Sequence, residues 1–94
     1  MGKIYQNQTA LKIVLDTGYT FLGTETVNIK YKKSSGALGS FVAIINGTTI
    51  HYYVIAGDIN EYGNWVFWSE VTFIDGTKVL GEPIRVTIHK EGEI

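Results

Sequence analysis

The chain has 94 residues, with 8 Lys and Arg against 9 Asp and Glu, a net charge of −1, one Pro and no Cys. A chain this short is read as one domain over residues 1–94, burying roughly two-thirds of its extended surface. Its charge balance removes the electrostatic drive for nucleic-acid binding, and its apolar content argues against disorder. Without Cys there is no disulfide and no thiolate metal site. No run reaches the ~18 apolar residues of a membrane helix, so no membrane insertion is expected. The opening residues carry no secretory pattern, and Gln6 stands where a myristoylation signal needs Ser or Thr. The expectation is a soluble domain of a reducing compartment.

Val, Ile, Thr, Tyr, Phe and Trp make up 42 of the 94 residues, against 9 Leu and Ala. Short alternating runs set off by Gly, Asn and Asp predict an all-β chain of about seven antiparallel strands. Ile4 to Gln8 is the first. Ala10 to Leu15 follows, with Leu11, Ile13 and Leu15 on one face, and Asp16-Thr17-Gly18 ends it. Thr26 to Lys33 alternates Val27, Ile29 and Tyr31 with Asn28, Lys30 and Lys32, and Ser34 to Gly39 is a turn. Ser40 to Ile45 and Thr48 to Ile55 flank Asn46-Gly47, a two-residue hairpin signal. Asn64 to Ile74 and Thr77 to Ile88 flank Asp75-Gly76 in the same way, with Pro83 at a strand start or bulge.

These turns predict the pairs Ile45–Thr48, Ala43–Ile50 and Phe41–Tyr52 in one hairpin. In the other they predict Val71–Leu80, Phe67–Ile84 and Trp65–Val86. Each set lies on the more apolar face, so alternation and turn chemistry agree. The predicted core is Leu11, Ile13, Leu15, Val27, Ile29, Tyr31, Phe41, Ala43, Ile45, Ile50, Tyr52, Val54, Trp65, Phe67, Val71, Phe73, Leu80, Ile84, Val86 and Ile88. An immunoglobulin-like β-sandwich suits seven short strands around such a core, with a small barrel as the other possibility.

The chemistry-bearing motifs are sparse. Asp16-Thr17-Gly18 after an apolar strand matches the catalytic triplet of dimeric aspartic proteases, in which two carboxylates share a proton. No Gly-rich flap or closing helix accompanies it, and Asp and Gly are ordinary strand terminators. His51 and His89 fall on outward faces of different hairpins, without metal-ligand spacing. Lys30, Lys32 and Lys33 read as a solvated face. Asn7-Gln8-Thr9 and Asn46-Gly47-Thr48 match glycosylation sequons and read as turn and strand-end residues. No catalytic residue, cofactor or metal is expected, and the chain is not read as an enzyme.

More telling are apolar residues on the outward faces: Val14, Val42, Ile44, Tyr53, Ile55, Val66 and Trp68. Val42, Ile44, Tyr53 and Ile55 are expected to share one hairpin face, and a contiguous apolar patch marks a partner surface unless a loop such as 18–25 covers it. With Trp68, which stands beside Arg85, they form the predicted contact set. A carbohydrate-binding module stacking sugars on Trp68, Tyr53 or Tyr19 is the alternative.

Several pieces come in a distinctive order. Ile4-Tyr5-Gln6-Asn7-Gln8-Thr9-Ala10 leads into Leu11 to Leu15 and Asp16-Thr17-Gly18. Val27-Asn28-Ile29-Lys30-Tyr31-Lys32-Lys33 follows, then Ala56-Gly57-Asp58-Ile59, Gly63-Asn64-Trp65 and Gly81-Glu82-Pro83. In this the chain resembles, over nearly its whole length, the N-terminal immunoglobulin-like domain of phage baseplate upper proteins, which also occurs in other phage and prophage tail-region proteins. Ser34-Ser35 stands where that family carries Pro, and Phe41 where it carries Trp. The resemblance implies a structural protein made in the bacterial cytoplasm and located in the virion tail or baseplate. Its implied partners are other tail or baseplate proteins or further copies of itself. Stopping at Ile94, without the family's long extension, favours a stand-alone tail-region protein or one domain of a larger one.

Overall fold

The computed structural model describes residues 3–92, and within them the chain is all-β, with two sheets facing each other as a sandwich. Its strands are β1 (Ile4–Tyr5), β2 (Lys12–Asp16), β3 (Thr26–Lys32), β4 (Leu38–Val42), β5 (Ile44–Asn46), β6 (Thr49–Tyr53), β7 (Gly63–Thr72), β8 (Lys78–Leu80) and β9 (Ile84–His89). The larger sheet runs β1-β9-β7-β3-β4, with β8 also on β7, and the smaller runs β2-β6-β5. All pairings are antiparallel except β1 with β9. Long alternating β7 lies between β3 and β9 and turns Trp65, Phe67, Ser69 and Val71 inward.

Among the described residues nine strands stand where about seven are predicted, because two predicted strands are each broken once. The first break is at Ala43. The preceding residues pair with β3, the following ones pair with β6, and Ala43 N–H still bonds to Val27 O at 3.1 Å. One predicted strand therefore passes from one sheet to the other. Phe41 is consequently paired with Ile29 rather than with Tyr52. The two rings still meet, stacked across the sandwich at 4.3 Å and 3°. From there Tyr31 and Trp65 continue a ladder of aromatic rings through the core to Phe67.

The second break is at Gly81–Pro83. The turn before it is a three-residue loop, Phe73 N–H bonding to Thr77 O with Gly76 at φ 90°. This is the turn-plus-bulge geometry that needs Gly in the left-handed position. It pairs Val71 with Val79 and Glu70 with Leu80, one residue out of the predicted register. A one-residue slip reverses faces. Leu80, predicted in the core, is accordingly 61% exposed. The break at Gly81–Pro83 takes up the extra residue, so β9 pairs Phe67 with Ile84 and Trp65 with Val86 as predicted.

The first hairpin also turns one step later than Asn46-Gly47. Asn46 pairs with Thr49, so the loop is Gly47-Thr48, with Gly47 at φ 65° as a type II′ turn requires. This moves the register by two residues, which preserves the faces, and Ile45 and Ile50 meet inside the sandwich. Ser34 to Gly36 forms a tight turn rather than a longer one, with Lys33 N–H bonded to Ala37 O.

The buried core is Leu15, Val27, Ile29, Phe41, Ile50, Val54, Ile59, Trp65, Phe67, Val71 and Ile88. All but Ile59 are predicted. Leu11, Ile13, Tyr31, Ala43, Ile45, Tyr52, Phe73 and Val86 pack around it half-buried. Ile84 does not, because it flanks an open seam between β2 and β9.

Candidate functional site

The outward face of the small sheet is built by cross-strand neighbours. His51 at the centre of β6 pairs with Val14 of β2 on one side and Ile44 of β5 on the other. The Tyr53 ring packs edge-on against the imidazole at 5.4 Å. Those three side chains leave His51 only 9% exposed, although it points away from the core, and its Nδ1 has no hydrogen-bond partner. Sequence alternation places His51 outward but gives no sign that its neighbours bury it. Lys12 Nζ lies 5.6 Å from the Tyr53 ring centroid at the margin.

Of the predicted contact residues, Ile44 and Tyr53 meet on this face, 56% and 57% exposed, and Ile55 is 63% exposed at the corner just beyond β6. The loop over residues 18–25 does not cover them. It is held elsewhere, with Tyr19 edge-on to Phe21 and Phe73. Val42 is exposed too, but it lies on β4 opposite Asn28 and belongs to the other sheet. Trp68 is half-buried on the outward face of that larger sheet, beside Val66, Leu80 and Pro83. The predicted single patch of Val42, Ile44, Tyr53 and Ile55 is thus divided at the sheet crossing. Tyr53, Trp68 and Tyr19 occupy three separate places, so they make no common platform for a sugar.

Asp16 is the last residue of β2 and closes it against the neighbouring turn. Its Oδ1 accepts from Gly18 N–H at 3.0 Å and Thr48 Oγ1 at 3.2 Å, while Thr17 Oγ1 donates to Thr48 O at 2.7 Å. These bonds end β2 and tie it to the β5–β6 turn. Among the described residues no cluster of His, Asp and Glu could hold a metal ion. Among the same residues no helix is long and apolar enough to cross a membrane.

Two carboxylates do structural work that sequence patterning misses. Glu25 is buried and accepts from the N–H groups of Leu22 and Gly23, and the Leu22 bond foremost holds its carboxyl below the usual range. Asp58 caps the corner after β6, accepting from Ile55 N–H at 2.8 Å and Tyr52 Oη at 2.7 Å. Its carboxylate, with burial second, pushes the Tyr52 phenol up to about 12. An unfolded tyrosine titrates at about 10. The phenol's contribution to stability is therefore complete below pH ~10 and lost as pH rises toward 12, because the unfolded chain releases its proton first. In an alkaline titration followed by tyrosinate absorbance, one phenol should ionise near 12. Asp58→Asn should bring it down toward the ordinary value of about 10, and an unchanged titration would refute the pairing.

The chain matches no protein-family model, no curated protein and no solved structure at a significant level.

Proposed function

We propose that this chain is a non-enzymatic, immunoglobulin-like module that docks into a phage or prophage tail assembly. The strand order supports the fold reading. Sheet β2-β6-β5 takes the places of B-E-D in the immunoglobulin scheme, and β9-β7-β3-β4 takes those of G-F-C-C′. Ala43 then carries the crossing from C′ to D, and the Asp58 corner leads toward strand F and its buried Trp65. The assignment to a tail or baseplate rests on the resemblance of the ordered sequence pieces.

The observation that carries a docking role is the outward face of the small sheet. Val14, Ile44 and Tyr53 form an apolar surface around a sealed His51, where solvated strands normally carry Thr, Lys or Glu. A partner protein covering this face would desolvate residues whose backbone is already held in a sheet, so little ordering entropy is lost.

The reading is tested by mass spectrometry of purified particles induced from the source strain, comparing the natural chain with Ile44→Lys. The natural chain should be present at stoichiometric abundance, and the variant should be folded but missing from particles. Absence of the natural chain from clean particles, or normal incorporation of Ile44→Lys, would overturn it.

A further inference from the structure

Among the described residues, strand β2 is paired on one side only, with β6. The ladder shows which of its backbone groups are free. Val54 N–H bonds to Leu11 O and Thr17 N–H to Thr48 O, so the odd-numbered residues of this stretch direct their groups toward β6. In an antiparallel ladder the alternate residues then point away. The N–H and C=O groups of Lys12, Val14 and Asp16 therefore face the open edge. Their side chains all lie on the outward face and are exposed.

That edge is self-complementary. In an antiparallel pairing of β2 with another β2, centred on Val14, each Lys12 falls opposite the partner's Asp16, and Val14 falls opposite the partner's Val14. These are the residues whose backbone groups are free, so each pair can exchange both of its bonds. A Lys on an edge strand ordinarily blocks pairing. Here it blocks strands lacking an acid two residues beyond the centre, and it welcomes its own copy. Opposite charges directly across a strand pair are favourable.

We infer that two copies of this chain pair through β2, antiparallel and about a two-fold axis at Val14. The contact is isologous and closed, and it joins two three-stranded sheets into one. Below the edge, an apolar cleft of about 140 Å³ lined by Ile13, Leu15, Ile84 and Val86 opens at the seam of the sandwich. The partner's seam faces it across the axis. On the outward side, the Val14, Ile44 and Tyr53 surfaces of both copies become continuous. The inference concerns self-association and stands independently of the tail-assembly reading.

Sedimentation equilibrium on the full chain tests it, from roughly 5 to 500 μM. A contact below ~1,200 Å² is expected to have a Kd on the order of 10–100 μM. Lys12→Glu places like charges opposite each other twice and should weaken the dimer at least about tenfold. Val14→Pro removes a free edge N–H without touching the bonds to β6, and should give a monomer with unchanged circular dichroism. If Val14→Pro proves unfolded, Lys12→Glu alone decides. A natural chain that stays monomeric throughout, or a dimer indifferent to Lys12→Glu, would overturn the inference.

Discussion

Replacing Trp65 by Ala should cost about 3–5 kcal/mol, most of the margin on which a domain of this size folds. Trp65 is fully buried, the largest side chain in the core, on the inward face of the strand that the most other strands flank. Its ring centroid lies 5.5 Å from that of Tyr31 and 5.9 Å from that of Phe67. Its Nε1–H donates to Glu61 O at 3.2 Å, so it also anchors the segment between β6 and β7. Alanine would leave a cavity among rigid rings that cannot collapse to fill it. Trp65→Phe keeps the ring and loses the anchor, so it should cost about 1–3 kcal/mol. Urea unfolding followed at Trp68, the other tryptophan of the chain, gives both numbers. A loss below ~1 kcal/mol for Trp65→Ala would show that the aromatic ladder does not carry the fold.

What was legible in the sequence divides along a physical line. Alternation reports faces, and faces survive any even shift of register. This is why Ile45 and Ile50 were identifiable as inward although the Asn46-Gly47 turn forms one step later. An odd shift is not forgiven, and Leu80 was lost to the three-residue turn at Ile74–Gly76. Alternation also continues unbroken through Ala43, so nothing local announces that the chain changes sheets there. That is the whole reason Val42 and Ile44, neighbours in sequence and both exposed, do not share a surface. Ile59 was invisible for a different reason: it is buried from a loop, where no period exists to betray it. Glu25 was equally silent, since a carboxylate that closes a turn has the same letter as one in water.

The outward face of the small sheet shows the same limit more sharply. Sequence gives the chemistry of Val14, Ile44 and Tyr53 but not their convergence, which needs the β2-β6-β5 order. It gives Lys12 and Asp16 as two exposed charges. Only the ladder reveals that both sit on the free phase of an edge strand, equally spaced about Val14.

Gly63→Ala should destabilise the chain by about 2–4 kcal/mol from a position outside the core. Gly63 begins β7 at φ 118°, where a side chain is strained whatever space surrounds it. Here there is also no space. A Cβ would fall 2.7 Å from Ser34 Cβ. Ser34 cannot simply step aside, because its Oγ donates to Tyr62 O at 2.7 Å, while Ser35 bonds to the Glu61 carboxylate. Moving the turn also pulls Lys33, whose Nζ donates to Asn60 Oδ1 and lies 5.7 Å from the Trp65 ring centroid. The two contributions separate in a second background. Ser34→Gly removes the collision and leaves the backbone strain, so Gly63→Ala should cost about 1–2 kcal/mol less there. An equal cost in both backgrounds would assign the whole effect to φ, and a cost under ~0.5 kcal/mol in either would refute the argument. Since Glu61 O also anchors the Trp65 indole, Gly63→Ala and Trp65→Phe act on one joint and should combine less than additively. The junction of turn, loop and strand would then behave as a single unit that holds the start of β7 against the core.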